Sequence, residues 1–308
     1  MFAHTSHASG WKGVIAHINW SIFVLINDNS PMNFTVNQEL IIRILIFVGV
    51  LVLMLAWEEL SPRRVRTQIC WYRRLNNMLL AVLNTLLLRF LIPIAAVSMA
   101  ALVAIHDFGL FNILELNSWL AGLLSFLILD FFIYFQHRLF HKYSLLWRLH
   151  RVHHSDTEFD ATTGVRFHPL EMILSMCIKI VVVGLLGPPL IAVLVFEVVL
   201  STTSLFNHGN VYIPVIIDRY LRWILVTPDM HRVHHSAKKE ETNSNFGFNI
   251  PWWDRLFSTY LEQPVMGQEK FKIGLIEFRD LRFVNVMWLL KQPLLNSTEF
   301  VDNEEQQS

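Results

Sequence analysis

Charge is scarce in this 308-residue chain: 16% of the residues are Asp, Glu, Lys or Arg, against about 25% in an ordinary soluble domain. The 25 basic and 25 acidic residues cancel, so no global field gathers a polyanion, and nucleic acid is not an expected partner. Cysteine is scarcer still. Cys70 and Cys177 are the two in the chain, too few for a disulfide framework or a thiolate metal site. A Gly-x-Gly-x-x-Gly string is missing, so the chain carries no dinucleotide fingerprint. The stretch from Met1 to Lys12 lacks a basic n-region, and no small-residue cleavage site follows it, so no signal peptide is expected.

What the chain has instead is hydrocarbon. Hydrophobic residues make up 53% and the mean hydropathy is +0.41. A helix needs about 20 mostly apolar residues to cross a bilayer, and runs of that kind fall at residues 40–57, 78–105 and 118–136. A fourth run, 170–206, is cut by Gly187-Pro188-Pro189, which cannot continue a helix interior, and reads as a hairpin of two short spans. The stretch Gly13 to Ile26 is shorter and suits an interface. The expected fold is therefore all-α, a multi-pass bundle of five spans.

Loop charges set the orientation. Arg63, Arg64, Arg66, Arg73 and Arg74 fall in 58–77, and Arg138, Lys142, Arg148, Arg151 and Arg166 in 137–169. Both segments are expected on the cytoplasmic side, together with the polar part of the chain from about Phe206. The connection 106–117 carries Asp107 and Glu115 and no Lys or Arg, so it suits the opposite side.

Histidine is the metal-binding residue present in quantity, 14 in all, and the clustered ones lie in those cytoplasmic segments. His137 and His141 are spaced i, i+4, and His150, His153 and His154 i, i+3, i+4, so each set shares a helix face. The hexapeptide His-Arg-Val-His-His-Ser that begins at His150 recurs from His231 to Ser236, adding His231, His234 and His235. Even one three-histidine pattern would arise by chance in roughly one chain in thirty. Eight imidazoles exceed the ligand number of one ion, so two are expected. Imidazole suits iron, zinc, copper or nickel alike. A dimetal site at the mouth of a membrane bundle can meet a lipid alkyl chain, and oxidation of an unactivated C–H bond calls for iron and dioxygen.

The succession His-Arg-Leu-Phe-His, His-Arg-Val-His-His, an apolar hairpin, then His-Arg-Val-His-His again resembles the fatty acid hydroxylase superfamily, also called the sterol desaturase family, of integral membrane di-iron oxygenases. Supporting strings are Asp130 seven residues before His137, Arg166-Phe-His-Pro-Leu-Glu171, Asn207-His-Gly-Asn210, Thr227-Pro-Asp-Met-His231, Asn245-Phe-Gly, and Trp253-Asp-Arg-Leu-Phe257. The likeness runs from about Leu120 to Tyr260. It implies a bacterial-type member in an inner membrane, with an N-terminal interfacial and transmembrane part (1–117), a catalytic region (118–270) and a cytoplasmic C-terminal segment (271–308). It also implies two iron ions, dioxygen as co-substrate, and hydroxylation or desaturation of a lipid, with electrons from a separate reductase or carrier.

Carried over residue by residue, the resemblance makes His137, His141, His150, His153, His154, His231, His234 and His235 iron ligands, His208 a ninth, and His168 a ligand or a partner to one. His4, His7, His17 and His106 are left out of the site. Asp130, Glu171 and Asp229 are candidates to orient or support ligands, since a ligating imidazole usually donates its other N–H to a carboxylate or carbonyl; helix capping or a solvated charge is the alternative for Glu171 and Asp229. Asp130 stands inside an apolar span, where a carboxylate is costly, and is expected to orient a neighbour or line the substrate cavity instead of binding iron. Tyr134 suits core packing better than a hydrogen-bond relay, and Trp252, Trp253 and Phe257 suit either a headgroup anchor or the core. Two other classes compete. A metal transporter or store would want ligands near the bilayer midplane, and a di-zinc hydrolase fewer protein ligands and an open position. Lastly, Lys179 and Glu197 each stand nine residues from Pro188, so an antiparallel hairpin should bring them to one depth and pair them.

Overall fold

A computed structural model describes residues 36–66, 70–92 and 95–296. The Gly13 to Ile26 stretch and His4, His7 and His17 lie outside the described residues. The helices, in chain order, are α1 (Val36–Leu60), α2 (Cys70–Leu91), α3 (Ala96–Ile105), α4 (Leu110–Ile113), α5 (Ser118–Lys142), α6 (Ser144–His154), α7 (Pro169–Leu186) and α8 (Leu190–Asn207). Six short ones follow: α9 (Val215–Leu221), α10 (Pro228–His234), α11 (Lys239–Thr242), α12 (Trp252–Leu256), α13 (Gly267–Lys270) and α14 (Val286–Lys291). Among the described residues no strand is formed, and two isolated bridges, Pro62 with Val211 and Ser236 with Ile273, tie loops together.

Five stretches are long and apolar enough to span a bilayer: Glu39–Leu60, Cys70–Ile113, Ser118–Lys142, Pro169–Leu186 and Leu190–Asn207. The fold is that of a multi-pass membrane protein. Its outward faces are apolar, with Leu45, Leu53, Leu86, Phe90 and Trp119 exposed, as lipid contact requires. Between the helices small residues permit close approach: Ala96, Ala100 and Ala121 pack with Leu129, Val183, Val193 and Phe196.

The run expected at 78–105 is two helices, α2 and α3, with Pro93 in the sequence between them; the residue before a proline is driven out of helical geometry. α2 also begins eight residues earlier than its apolar run. Its first turns carry Arg73, Asn76 and Asn77, all buried, because Arg73 and Asn77 meet polar groups of the segment after α6 while Asn76 donates to the Tyr72 carbonyl and accepts from Val286 N. Arg73 pairs with Asp156 at 2.6 Å and with Asp160. Asn77 donates to Thr162 Oγ1 at 3.1 Å. Glu58, at the end of α1, accepts from the backbone of Ala161 (2.7 Å) and Asn210 (3.0 Å) and pairs with Arg74 (2.9 Å). α1 and α2 are thereby fastened to the region that carries the histidines.

The hairpin forms as expected. α7 ends at Gly187, left-handed at φ 65°, and α8 begins after Pro189. A Cβ on Gly109 would lie 2.5 Å from Gly187 Cα, so the α3–α4 turn seats on the hairpin tip only while both are glycine. Lys179 meets Glu197 at 2.9 Å, and a third charge joins them: Arg43 of α1 reaches the same carboxylate at 2.7 Å. The α5 C-terminus, the α7 N-terminus and the α8 C-terminus come together at one end of the bundle, and the clustered histidines gather there.

Candidate metal centre

Nine imidazoles converge in two groups: His137, His141, His150, His154 and His234 in one, and His153, His208, His231 and His235 in the other, the donor atoms within each lying inside 4.8 Å of one another. α5 delivers His137 and His141, α6 delivers His150, His153 and His154, the end of α8 delivers His208, and α10 delivers His231 and His234 with His235 at its C-cap. All are buried except His141, which keeps partial exposure. The two hexapeptide copies interlock, and His153 and His154 face His235 and His234 at ring separations of 4.6 Å each.

Hydrogen bonds at the outer ring nitrogens decide what the inner ones present. His137 Nδ1 meets the Phe246 carbonyl at 2.9 Å, His234 Nδ1 the Ser244 carbonyl at 2.7 Å, and His208 Nδ1 the Ser204 carbonyl at 2.8 Å. His150 Nδ1 meets Glu171 Oε1 at 2.6 Å. Each acceptor requires the proton on Nδ1, so each Nε2 carries a bare lone pair. His137 Nε2 nevertheless lies 2.9 Å from His234 Nε2 and 3.0 Å from His150 Nε2. Three lone pairs aimed at one another without a proton repel, and a cation among them removes the conflict. Protonation is a poor substitute: burial, then the neighbouring imidazoles, holds His153, His154, His231 and His235 far below the usual histidine range, and His208 and His234 are lowered to about 3.

Spacing points the same way. Nitrogens bound to one ion at about 2.1 Å and at right angles stand about 3.0 Å apart. His141 and His154 (3.1 Å), His153 and His208 (3.1 Å) and His208 and His231 (3.1 Å) repeat that separation at Nε2. Further orphaned atoms line the second group: His153 Nδ1, His231 Nδ1 and both nitrogens of His235 are buried without a hydrogen-bond partner. The donor set fits transition-metal ions, with no thiolate and no carboxylate within either group.

His168 is placed elsewhere. Its Nδ1 accepts from Leu170 N at 3.2 Å as the cap of α7, and its Nε2 faces the Leu290 carbonyl at 3.3 Å, so both ring nitrogens are engaged away from either group. Of the three carboxylates singled out from the sequence, Glu171 touches a clustered histidine. Asp130, fully buried, accepts from Trp253 Nε1 at 2.8 Å and Asn249 N at 3.3 Å and clamps the 249–253 segment to α5. Asp229 pairs with Arg63 at 3.1 Å and with Arg232, which fixes α10 without contact to an imidazole. Tyr134 bonds Thr259 Oγ1 at 3.0 Å and stacks on Phe257. Trp252, half exposed, donates to the Trp223 carbonyl.

Other contributors escaped sequence reasoning. Phe167 stacks on His153 at 4.4 Å, and Asn243 Oδ1 lies 3.3 Å from His141 Nδ1. The carbonyls of Ser204, Ser244 and Phe246 leave no trace in a sequence, since every residue has one. Phe246 had a signal, the Asn245-Phe-Gly string, and Phe167 another, the Arg166-Phe-His-Pro-Leu-Glu171 string. Asn245 adopts φ 51° and donates to the carbonyls of Met230 and Leu261. Asp254 then accepts from Phe246 N (2.8 Å) and Gly247 N (2.7 Å), and burial lifts its carboxyl to about 6. A Cβ on Gly247 would meet that carboxylate at 2.6 Å, so glycine is needed to hold the Phe246 carbonyl against His137.

Fold and site together define a multi-pass membrane protein with two adjoining all-histidine groups, each able to hold a metal ion, at one end of its bundle. Residues 122–259 match the family model "Fatty acid hydroxylase", a stretch that contains all nine histidines, and this region of the chain belongs to that superfamily. Ornithine lipid hydroxylase OlsE of Rhizobium tropici is 34% identical over 141 residues, 46% of this chain and 42% of the relative. Alkylglycerol monooxygenase of Xenopus tropicalis is 30% identical over 157 residues, 49% of this chain and 32% of the relative. A putative Delta(7)-sterol-C5(6)-desaturase 2 of Arabidopsis thaliana is 26% identical over 157 residues, 48% and 50%. The chain thus spans half or less of these relatives' lengths. No solved structure matches it.

Proposed function

We propose that the chain is a lipid C–H oxygenase in which two iron ions, one held by His137, His141, His150, His154 and His234 and the other by His153, His208, His231 and His235, work with dioxygen on an alkyl chain or ring of a bilayer lipid. The observation that carries this reading is the set of lone pairs from His137, His150 and His234 facing one another at about 3 Å, at one end of the bundle. Bound iron would supply dioxygen activation for removal of hydrogen from carbon. The chain's own groups do the rest. The carbonyls of Ser204, Ser244 and Phe246 and the Glu171 carboxylate hold imidazoles in the tautomer that presents Nε2 inward. Asp130 and Asp254 position the 245–254 segment that carries one of those carbonyls. Phe159, Phe167 and Phe246 pack on the rings and keep water from the buried donors.

Hydroxylation balances as R–H plus dioxygen, two electrons and two protons giving R–OH and water, so the electrons come from a separate reductase or carrier. The arginines of 58–77 and 137–169 support a cytoplasmic position for the histidine end. Transport fits less well than catalysis, because the donors stand at the ends of the spans and not at their midpoints. The test is metal analysis of purified protein, followed by incubation with a lipid extract under isotopically heavy dioxygen with mass spectrometry of the products. Two irons per chain and oxygen-labelled lipid are expected. Iron-replete protein that leaves every lipid unchanged in the presence of a reductant refutes the reading, and so does a preparation that takes up zinc and excludes iron.

A further inference from the structure

Of the nine clustered histidines, His141 alone keeps partial exposure, and its solvent edge is built from α6. Trp147, on the first turn of that helix, lays its indole against His141 with ring centres 4.9 Å apart and against His154 at 5.4 Å. The same indole is a wall of a surface pocket of about 180 Å³ shared with Ser144, Arg148, Arg151, Leu275, Glu277 and Phe278. One aromatic side chain therefore touches two rings of the five-histidine group on one side and water on the other. The surroundings are basic: from His137 to His154 the chain has Arg138, Lys142, Arg148 and Arg151 and no Asp or Glu. Glu277 is the single acid lining the pocket. Arg148 donates to Asn296 Oδ1 and Arg151 to the Leu295 carbonyl, which holds residues 295–296 beside the opening; Lys142, at the end of α5, is exposed.

We propose that this edge is where electrons enter: an acidic one-electron carrier protein docks over Trp147 between Lys142 and Arg148, and the indole conducts each electron to the rings of His141 and His154. The proposal rests on the di-iron reading above. No atoms are exchanged. In each encounter the carrier is oxidised by one electron and the metal centre reduced by one, and two encounters supply the pair that hydroxylation consumes. Trp147 is a positioning residue, acting through His141 and His154, and charge complementarity selects the carrier, since opposite charges across an encounter surface raise the association rate and suppress wrong partners.

The experiment uses iron-loaded full-length chain with Cys70 and Cys177 replaced by Ser and Arg148→Cys carrying a ruthenium polypyridyl photosensitiser. Iron content is measured first in every variant. Flash-driven reduction of the centre, followed by absorbance, is expected to slow by about tenfold or more in Trp147→Leu and to be largely restored in Trp147→Phe, with iron content unchanged. Equal rates in Trp147→Leu and its parent overturn the route. In a second arm the probe is a reduced plant-type [2Fe–2S] ferredoxin acting on unlabelled chain. Its reduction of the centre is expected to fall as salt rises and to drop about tenfold or more in Lys142→Glu/Arg148→Glu. Reduction that ignores both, or none at all, overturns the docking face. A parent chain that binds no iron fails at the first measurement, which separates failure of the di-iron reading from failure of the electron route.

Discussion

The contact between Glu171 and His150 yields a graded prediction. His150 Nδ1 lies 2.6 Å from Glu171 Oε1, both side chains are buried, and Glu171 sits in the first turn of α7, so helix and imidazole are locked together. Support of this kind is worth about 10–100-fold in metal affinity, or about 1.4–2.8 kcal/mol. Glu171→Gln keeps an acceptor for the Nδ1 proton and loses charge assistance, which roughly doubles a hydrogen bond; the loss should fall near tenfold. Glu171→Leu strands a buried N–H, which costs about 1–3 kcal/mol, and should approach a hundredfold. His150 belongs to the five-histidine group alone, so one ion of two should weaken. The assay is titration of the loaded protein with a ferrous chelator, reading iron retained per chain: Glu171→Leu should lose half its iron at a chelator concentration that leaves the wild type loaded. Wild-type retention in Glu171→Leu refutes the reasoning, and so does a uniform loss from both groups.

Alanine at His153 or His234 should lower bound iron and abolish turnover. His168→Ala removes a helix cap worth about 0.5–2 kcal/mol and should lower the melting temperature with iron content intact; loss of iron there would return His168 to the site. Glu197→Gln deprives Lys179 and Arg43 of their shared carboxylate, and breaking a buried pair costs about 3–5 kcal/mol. Adding Lys179→Met should restore about 0.5–3 kcal/mol of that in thermal unfolding, and strict additivity would show that the charges are uncoupled. The metal-free chain should lose stability as pH falls from about 6.5 toward about 3. In that window the unfolded chain protonates its histidines while the fold keeps His208 and His234 neutral, their values being lowered to about 3 by burial. A melting temperature flat across that range contradicts the assignment.

The parts of the molecule visible in the sequence are those with a period or a composition. Apolar runs marked the spans, and a repeated hexapeptide marked the histidines that gather in the centre. Equal distance from Pro188 sufficed to pair Lys179 with Glu197, because a helical hairpin converts sequence offset into depth. The early start of α2 stayed hidden, since Arg73 and Asn77 look like the end of a loop until their partners around residues 156–162 are known. Asp229 and Glu171 looked alike as acids two or three residues from a histidine. Asp229 owes its role to Arg63, 166 positions away, and Glu171 owes its role to the contact by which α7 meets His150 of α6. His168 misled because histidine is also a competent helix cap, and spacing cannot tell a ring whose lone pair faces its own helix from one that faces a cluster.

Adjacent residues divide between the two groups: His154 and His153 in one hexapeptide copy, His234 and His235 in the other. Consecutive Cα atoms are about 3.8 Å apart across a trans peptide, a length that no rotamer or domain motion alters. The distance between the centres is thus a ruler made of two peptide bonds, one on each side. A helix can slide, tilt or fray and the two sites travel together. It follows that the spacing of the two sites is set by the chain itself, while the occupancy of each is left to its own ligands and their supports.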